Sequence, residues 1–118
     1  MQRDGKKFIR DALIAAEELR GFTAGKSLAD VESDRGLQLI IEREFEILGE
    51  ALARFRNTDD NAFAGISEGH RIIGTRNLLA HGYDVVDYRV LWDAIQQDLP
   101  CLIGELEDLL DSDPRADD

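Results

Sequence analysis

The sequence predicts an all-α protein, an antiparallel bundle of four to five helices. Apolar residues recur at three- and four-residue steps in four long segments, which is the helical period. No stretch alternates apolar and polar residues with period two, so no sheet is expected. The chain has two prolines, one of them near its C-terminus, and this leaves room for long helices.

The first two long helices are predicted from about Asp4 to Arg20 and from about Asp34 to Phe55. Between them, Ser27 is expected to cap a short helical turn. The apolar stripe of the second helix includes one charged residue, Glu44. The first helix shows its stripe at Phe8, Ile9, Ala12, Ala15, Ala16 and Leu19.

The third helix is predicted to begin with Ser67 as its N-cap and to stop near Gly82. Asp87 is expected to cap a fourth helix, which carries a long series of apolar residues as far as Leu110. Pro100 falls inside this helix, where the missing backbone donor and the ring should kink or divide it. We expect residues 1–110 to form one domain and residues 111–118 an acidic tail.

Composition excludes several classes of protein. The single cysteine, Cys101, excludes an intrachain disulfide and is expected to be a buried structural thiol in an apolar run. With two histidines and no cysteine pair, we expect no metal site, and nothing suggests a cofactor. Neither a secretory signal nor an apolar run of about 20 residues is present, so we expect a cytoplasmic protein with no membrane span.

The formal net charge of −11 bears on the possible partners. Nucleic-acid-binding proteins usually carry a basic face, because phosphate contacts supply much of the affinity. An RNA site would need a local positive patch, for which Lys6, Lys7 and Arg10 are the nearest candidates. The alternative is that the acidity serves a basic protein partner.

Polar groups cluster at the end of the third helix, in the segment from Arg76 to Tyr83. Arg76 and Tyr83 are seven residues apart and share a face, and Asn77 and His81 share the neighbouring face. On spacing alone, a structural histidine near a helix C-terminus is the more common explanation. A functional site is the less common alternative.

The segment nevertheless resembles the signature of the HEPN superfamily in its HepT-like toxin branch. The resemblance starts from Arg76-x-x-x-x-His81-x-Tyr83, with Asn77 directly after the arginine. It continues in three further segments, which are Glu46-Ile47-Leu48-Gly49-Glu50-Ala51, Val86-Asp87-Tyr88 through Leu91-Trp92-Asp93, and Asp98-Leu99-Pro100. Together these segments cover most of residues 4 to 110 in order and spacing.

The resemblance implies a metal-independent endoribonuclease, the toxin of a toxin–antitoxin pair with an MNT-type nucleotidyltransferase as antitoxin. His81 would be the acid–base, Arg76 the phosphate clamp, and Asn77 an orienting group. Tyr83 would be the hydroxyl that the partner adenylylates. Since one histidine cannot readily serve as both base and acid, a homodimer with a composite site is expected. The alternative is a non-catalytic HEPN module that binds nucleotide or its partner and is modified at Tyr83.

Several other residues have two possible explanations. His70 is expected to be an exposed helix residue rather than a catalytic one. Glu46 and Glu50 could hold the guanidinium of Arg76, although a solvated face is expected for at least one of them. Trp92 and Phe45 are expected to be core or dimer-interface anchors.

Overall fold

The computed structural model describes residues 3–80 and 86–112. Within these ranges every regular element is helical and no strand occurs, so the predicted all-α class is confirmed. The four long helical segments of the prediction are present. The helices are α1 (Arg3–Thr23), α2 (Leu28–Ser33), α3 (Arg35–Thr58), α4 (Asp60–Phe63), α5 (Gly69–Ala80), α6 (Tyr88–Asp93) and α7 (Leu99–Ser112).

The first connection follows local capping rules, although α1 runs three residues past its predicted end. The hydroxyl of Thr23 donates to the carbonyl of Leu19 at 2.8 Å, and Gly25 then adopts a φ of 74°, which favours glycine. Ser27 caps α2 as predicted. Its hydroxyl accepts from the Asp30 amide while the Asp30 carboxylate accepts from the Ser27 amide, and the two bonds form a capping box.

Asp34 caps α3 through a bond from the Leu37 amide. The prediction for Ser67 as a helix cap is wrong. Its amide and hydroxyl both donate to Glu105 on α7, and α5 begins at Gly69. A serine before an apolar run is compatible with either arrangement, and only the position of Glu105 decides between them.

The last helical segment changes its hydrogen bonding close to Pro100. Asp87 caps α6 as predicted, and a π-helical turn, Ala94–Asp98, then separates α6 from α7. Pro100 is the second residue of α7, directly after this wider turn. The interruption expected from Pro100 is therefore present as a π turn. Proline has no backbone N–H to donate, and π turns and prolines both interrupt the regular hydrogen bonding of an α-helix. The helix continues to Ser112, two residues into the predicted tail.

The core lies between α1, α3, α5 and α7. Contacts of α3 with α5 pair Gly49 with Arg76 and Arg56 with His70, so these two helices are antiparallel. Phe45 is 1% exposed in the core, and Trp92 packs partly buried against it. Among the described helices none is long and apolar enough to cross a bilayer.

The prediction for Cys101 is wrong, because its thiol is exposed. Cys101 lies within an apolar run, but α7 buries only the face formed by Leu99, Leu102, Ile103 and Leu106. Successive residues turn by about 100° on a helix, so a continuous apolar run cannot all face the core.

Candidate active site

The structure describes two of the four predicted site residues. Arg76 and Asn77 lie in the last turns of α5, while His81 and Tyr83 lie outside the described residues. The geometry of the site is therefore built from Arg76 and Asn77 and from the elements that flank residues 81–85.

Arg76 is held by a carboxylate from the neighbouring long helix. Its Nη1 donates to Oε2 of Glu50 on α3 at 3.0 Å, and its side chain is 24% exposed. The pair joins residues 26 positions apart in the sequence. A half-buried guanidinium bound to a carboxylate has fewer accessible rotamers than a free one. Of the two glutamates that were candidates for this contact, Glu50 makes it, whereas Glu46 pairs with Arg43.

Gly49 allows α3 and α5 to approach each other at this point. A Cβ atom at Gly49 would lie 2.6 Å from Cγ of Arg76, which is shorter than non-bonded carbon atoms approach each other in proteins. The stem of Arg76 therefore occupies the space that a side chain would need. The Gly49-Glu50 pair thus supplies both the close approach and the ionic partner for Arg76.

The guanidinium of Arg76 retains donors that no described residue uses. Nη1 makes the one hydrogen bond of this side chain among the described residues, and Nε is buried without a partner there. A guanidinium offers five N–H donors in a planar fork. Nη1 is thus held by Glu50, whereas Nη2 makes no hydrogen bond to a described residue and is the nitrogen left for an anionic ligand such as phosphate.

Glu50 also binds Arg54, whose Nε donates to its Oε1 at 2.8 Å. The hydrogen bond from Arg54 is the main reason why the pKa of Glu50 lies below its ordinary value, and the charge of Arg76 adds to the effect. Glu50 therefore stays ionised near neutral pH, and its carboxylate bridges two arginines.

Asn77 is exposed at the position directly after Arg76. The neighbouring Thr75 is 8% exposed and bonds back to the carbonyl of Arg71. Because α5 turns by about 100° per residue, Asn77 and Arg76 present different faces of one helical turn. Asn77 is accessible to a ligand but makes no hydrogen bond to another described side chain.

The chain is anchored again after residues 81–85, through contacts that the sequence analysis did not predict. Tyr88 at the start of α6 donates to Oε2 of Glu42 at 2.5 Å, and Arg35 donates to both of them. Glu42 and Glu50 lie eight residues apart on α3, about 12 Å at 1.5 Å per residue. The flanks of residues 81–85 are thus tied to one helix through Arg76 and Tyr88. Two sequence signals pointed to Tyr88, namely its adjacency to the helix cap Asp87 and its place in the family-like segment Val86-Asp87-Tyr88.

The remaining candidates lie elsewhere. His70 is exposed, as predicted, with its Nδ1 3.4 Å from Nη1 of Arg56 and its ring edge-on to Phe63. Lys6 is 4% exposed, and Lys7 pairs with Asp11 at 3.0 Å. These two lysines therefore do not present a joint basic surface. In residues 3–80 and 86–112, no three His, Cys, Asp or Glu side chains are grouped to hold a metal.

The helical bundle and the helix-borne Arg76 agree with the resemblance to the HEPN superfamily found in the sequence. The family profile described as "Ribonuclease HepT-like" matches residues 12–109. The chain therefore belongs to the HepT-like ribonuclease family of the HEPN superfamily.

Several relatives extend over nearly the whole chain. A Thermococcus cleftensis protein named "Probable ribonuclease HepT" is 32% identical over 109 residues, which cover 92% of this chain and 98% of that protein. A Methanocaldococcus jannaschii protein, provisionally named as an RNase, is 29% identical over 106 residues, covering 90% of this chain and 96% of its own. No solved structure gives a significant match.

Proposed function

We propose that this protein is a metal-independent endoribonuclease that cleaves RNA at a site built around Arg76 and His81. The observation that carries the proposal is the attachment of Arg76 to Glu50, which holds Nη1 of the guanidinium and leaves Nη2 for a phosphate. Membership of the HepT-like ribonuclease family supports RNA as the substrate.

The chemistry follows from the residue types. The 2′-hydroxyl of the RNA loses its proton to one imidazole and attacks the adjacent phosphorus, and a second imidazole protonates the departing 5′-oxygen. The products are a 2′,3′-cyclic phosphate and a 5′-hydroxyl end. Arg76 stabilises the charge on the non-bridging oxygens, and Asn77 orients the phosphate or the imidazole. Two copies of His81, one from each protomer of a homodimer, supply the base and the acid.

The biological setting that we propose is a toxin–antitoxin pair. An MNT-type nucleotidyltransferase would neutralise the enzyme by transferring AMP to the hydroxyl of Tyr83. The added phosphate would place negative charge and bulk two residues from His81, and so repel RNA. The net charge of −11 makes RNA binding weak and strongly dependent on salt, because most of the surface repels phosphate.

The decisive experiment incubates the purified, unmodified protein with cellular RNA in excess EDTA. The chain offers a matched control, since His70 is the one other histidine and is exposed on α5. We expect the wild type and His70→Ala to cleave and His81→Ala to be inactive. Cleavage by His81→Ala, or inactivity of all three proteins at low salt with Tyr83 shown by mass to be bare, would refute the proposal.

The high net negative charge favours a second candidate, a non-catalytic module that binds a nucleotide or its partner enzyme and is modified at Tyr83. The two candidates differ in the cell. Growth arrest that needs His81 and is relieved by the nucleotidyltransferase supports the ribonuclease. Binding of the nucleotidyltransferase without any RNA cleavage supports the module.

A further inference from the structure

A long groove follows the outer side of α1 and α3, and at one end it reaches Glu50, the residue that holds Arg76. It consists of a cavity of about 350 Å³ between Lys7 and Arg54 at one end, and one of about 300 Å³ between Phe22 and Leu39 at the other. Arg43 borders both cavities, which we together call the α1–α3 groove. From Lys7 to Phe22 it extends for about 22 Å at 1.5 Å per helical residue.

Large apolar side chains line the groove and remain in contact with water. Ile14 is 56% exposed, Phe22 49% and Leu39 51%. These are three of the four large apolar residues that are exposed in the described part of the chain. Their grouping along one groove differs from the single, scattered apolar residues of an ordinary surface, and it is typical of a binding surface.

Most charges in the groove are already neutralised by neighbours. The three cations of its lining each have an acidic partner, in the pairs Lys7–Asp11, Arg43–Glu46 and Arg54–Glu50. Two carboxyl groups remain, Glu18 on α1 and Glu44 on α3, and neither has an ion-pair partner among the described residues. The charge that the fold leaves uncompensated in the groove is therefore negative.

Glu44 is more than nine-tenths buried, at 8% exposure, and its Oε2 has no hydrogen-bond partner among the described residues. Burial raises the pKa of Glu44 to about 7, the neighbouring Glu18 adds to this shift, and the charge of Arg43 opposes it. A buried acceptor without a partner is costly, so a cation placed between the two carboxyl groups would gain from both.

We propose that the α1–α3 groove binds an amphipathic helix of a partner protein, which presents a lysine or arginine to Glu18 and Glu44 and apolar side chains to Ile14, Phe22 and Leu39. The groove length matches a helix of about 15 residues, and helices bind grooves of this kind through apolar residues at three- and four-residue steps. The peptide-binding test below does not require RNA cleavage, although Glu50 at one end of the groove also binds Arg76.

A second copy of this chain fits the groove less well than a basic partner does. A two-fold contact would bring Glu18 and Glu44 of both copies together, and the groove cations are already paired. A basic helix, in contrast, is attracted to the negative charge that remains in the groove.

The test uses a fluorescent amphipathic peptide of about 15 residues with leucines at helical spacing and one central arginine. The control peptide carries glutamine in place of this arginine. Anisotropy titrations at moderate salt compare wild type, Glu44→Gln and Glu107→Gln, the last an exposed α7 substitution with the same change in net charge. We expect the arginine peptide to bind wild type and Glu107→Gln at least about fivefold more tightly than the glutamine peptide, and Glu44→Gln to lose this preference.

A Phe22→Ser variant should weaken both peptides, because it removes an exposed apolar contact without touching the core. Two results would overturn the proposal. The first is an arginine preference that Glu44→Gln retains. The second is a homodimer, detected by sedimentation, that Phe22→Ser dissociates, since the groove would then be occupied by a second copy.

Discussion

Arg76 on α5 and Glu50 on α3 form a 3.0 Å ion pair directly beside Gly49. The long helix α3 therefore sets the position of Arg76, the residue proposed to bind phosphate. The contact combines an ionic tether with a close approach of two helices. The ionic tether and the close approach can each be tested by a separate substitution.

Replacing Glu50 with glutamine tests the ionic tether. The substitution keeps the shape of the side chain but removes the charge that attracts Arg76, and RNA cleavage should fall by about 10- to 100-fold through mispositioning of the guanidinium. The control is Glu46→Gln, one turn earlier on α3, whose partner Arg43 is exposed. Cleavage rates and melting curves are measured together. Equal rates for the two variants, with unchanged stability, would show that Glu50 does not position Arg76.

Replacing Gly49 with alanine tests the close approach. The added methyl group would overlap the stem of Arg76, and we expect unfolding free energy to fall by about 1–3 kcal/mol. Gly74→Ala on α5 is the matched control, because no atom lies within 4 Å of its future Cβ. That substitution should stabilise the helix by roughly 0.5–1 kcal/mol. Urea denaturation of both variants measures the difference, and a shift in the same direction for both would contradict the packing argument.

Glu44 should make stability depend on pH near neutrality. Burial first, and then Glu18, raise the pKa of Glu44 from 4.5 to about 7, so the folded protein retains a proton that the unfolded chain releases. This contribution to stability is complete below pH 4.5 and is lost as pH rises through 7. Glu44→Gln should therefore stabilise the protein at pH 8, by about 1–3 kcal/mol, and have little effect at low pH.

Urea denaturation at pH 4.5 and pH 8 measures this effect of Glu44. Glu107→Gln, an exposed substitution of the same charge change, is the control. An equal gain for the two variants at pH 8 would mean that net charge, rather than the buried carboxyl group, is responsible.

Tyr88→Phe should loosen the start of α6. The hydroxyl of Tyr88 donates to Glu42 and accepts from Arg35, and its loss removes hydrogen bonds to charged groups, worth about 1–2 kcal/mol here. Amide hydrogen exchange should become faster in α6, while α1 and the centre of α3 stay protected. Unchanged exchange in α6 would show that the tyrosine does not anchor this helix.

The sequence alone determined the helical elements, because helices depend on local periodicity and capping. The apolar stripes placed α1, α3, α5 and the α6–α7 segment, and Ser27 and Asp87 act as the caps that were predicted. The resemblance of residues 46–51 and 76–83 to the HepT-like signature identified the family. The prediction of Ser67 as a helix cap from the local sequence was wrong, because its side chain bonds to Glu105, 38 residues away.

Only the tertiary structure decided which side chains meet. The pairing of Arg76 with Glu50, of Tyr88 with Glu42 and of Glu44 with Glu18 joins residues far apart in the sequence. Periodicity places each of them on a helix face, but the distance and rotation between two packed helices determine their contacts. Helix packing also determines that Cys101 is exposed and that an apolar groove lies between α1 and α3. Neither feature could be predicted from a local sequence pattern.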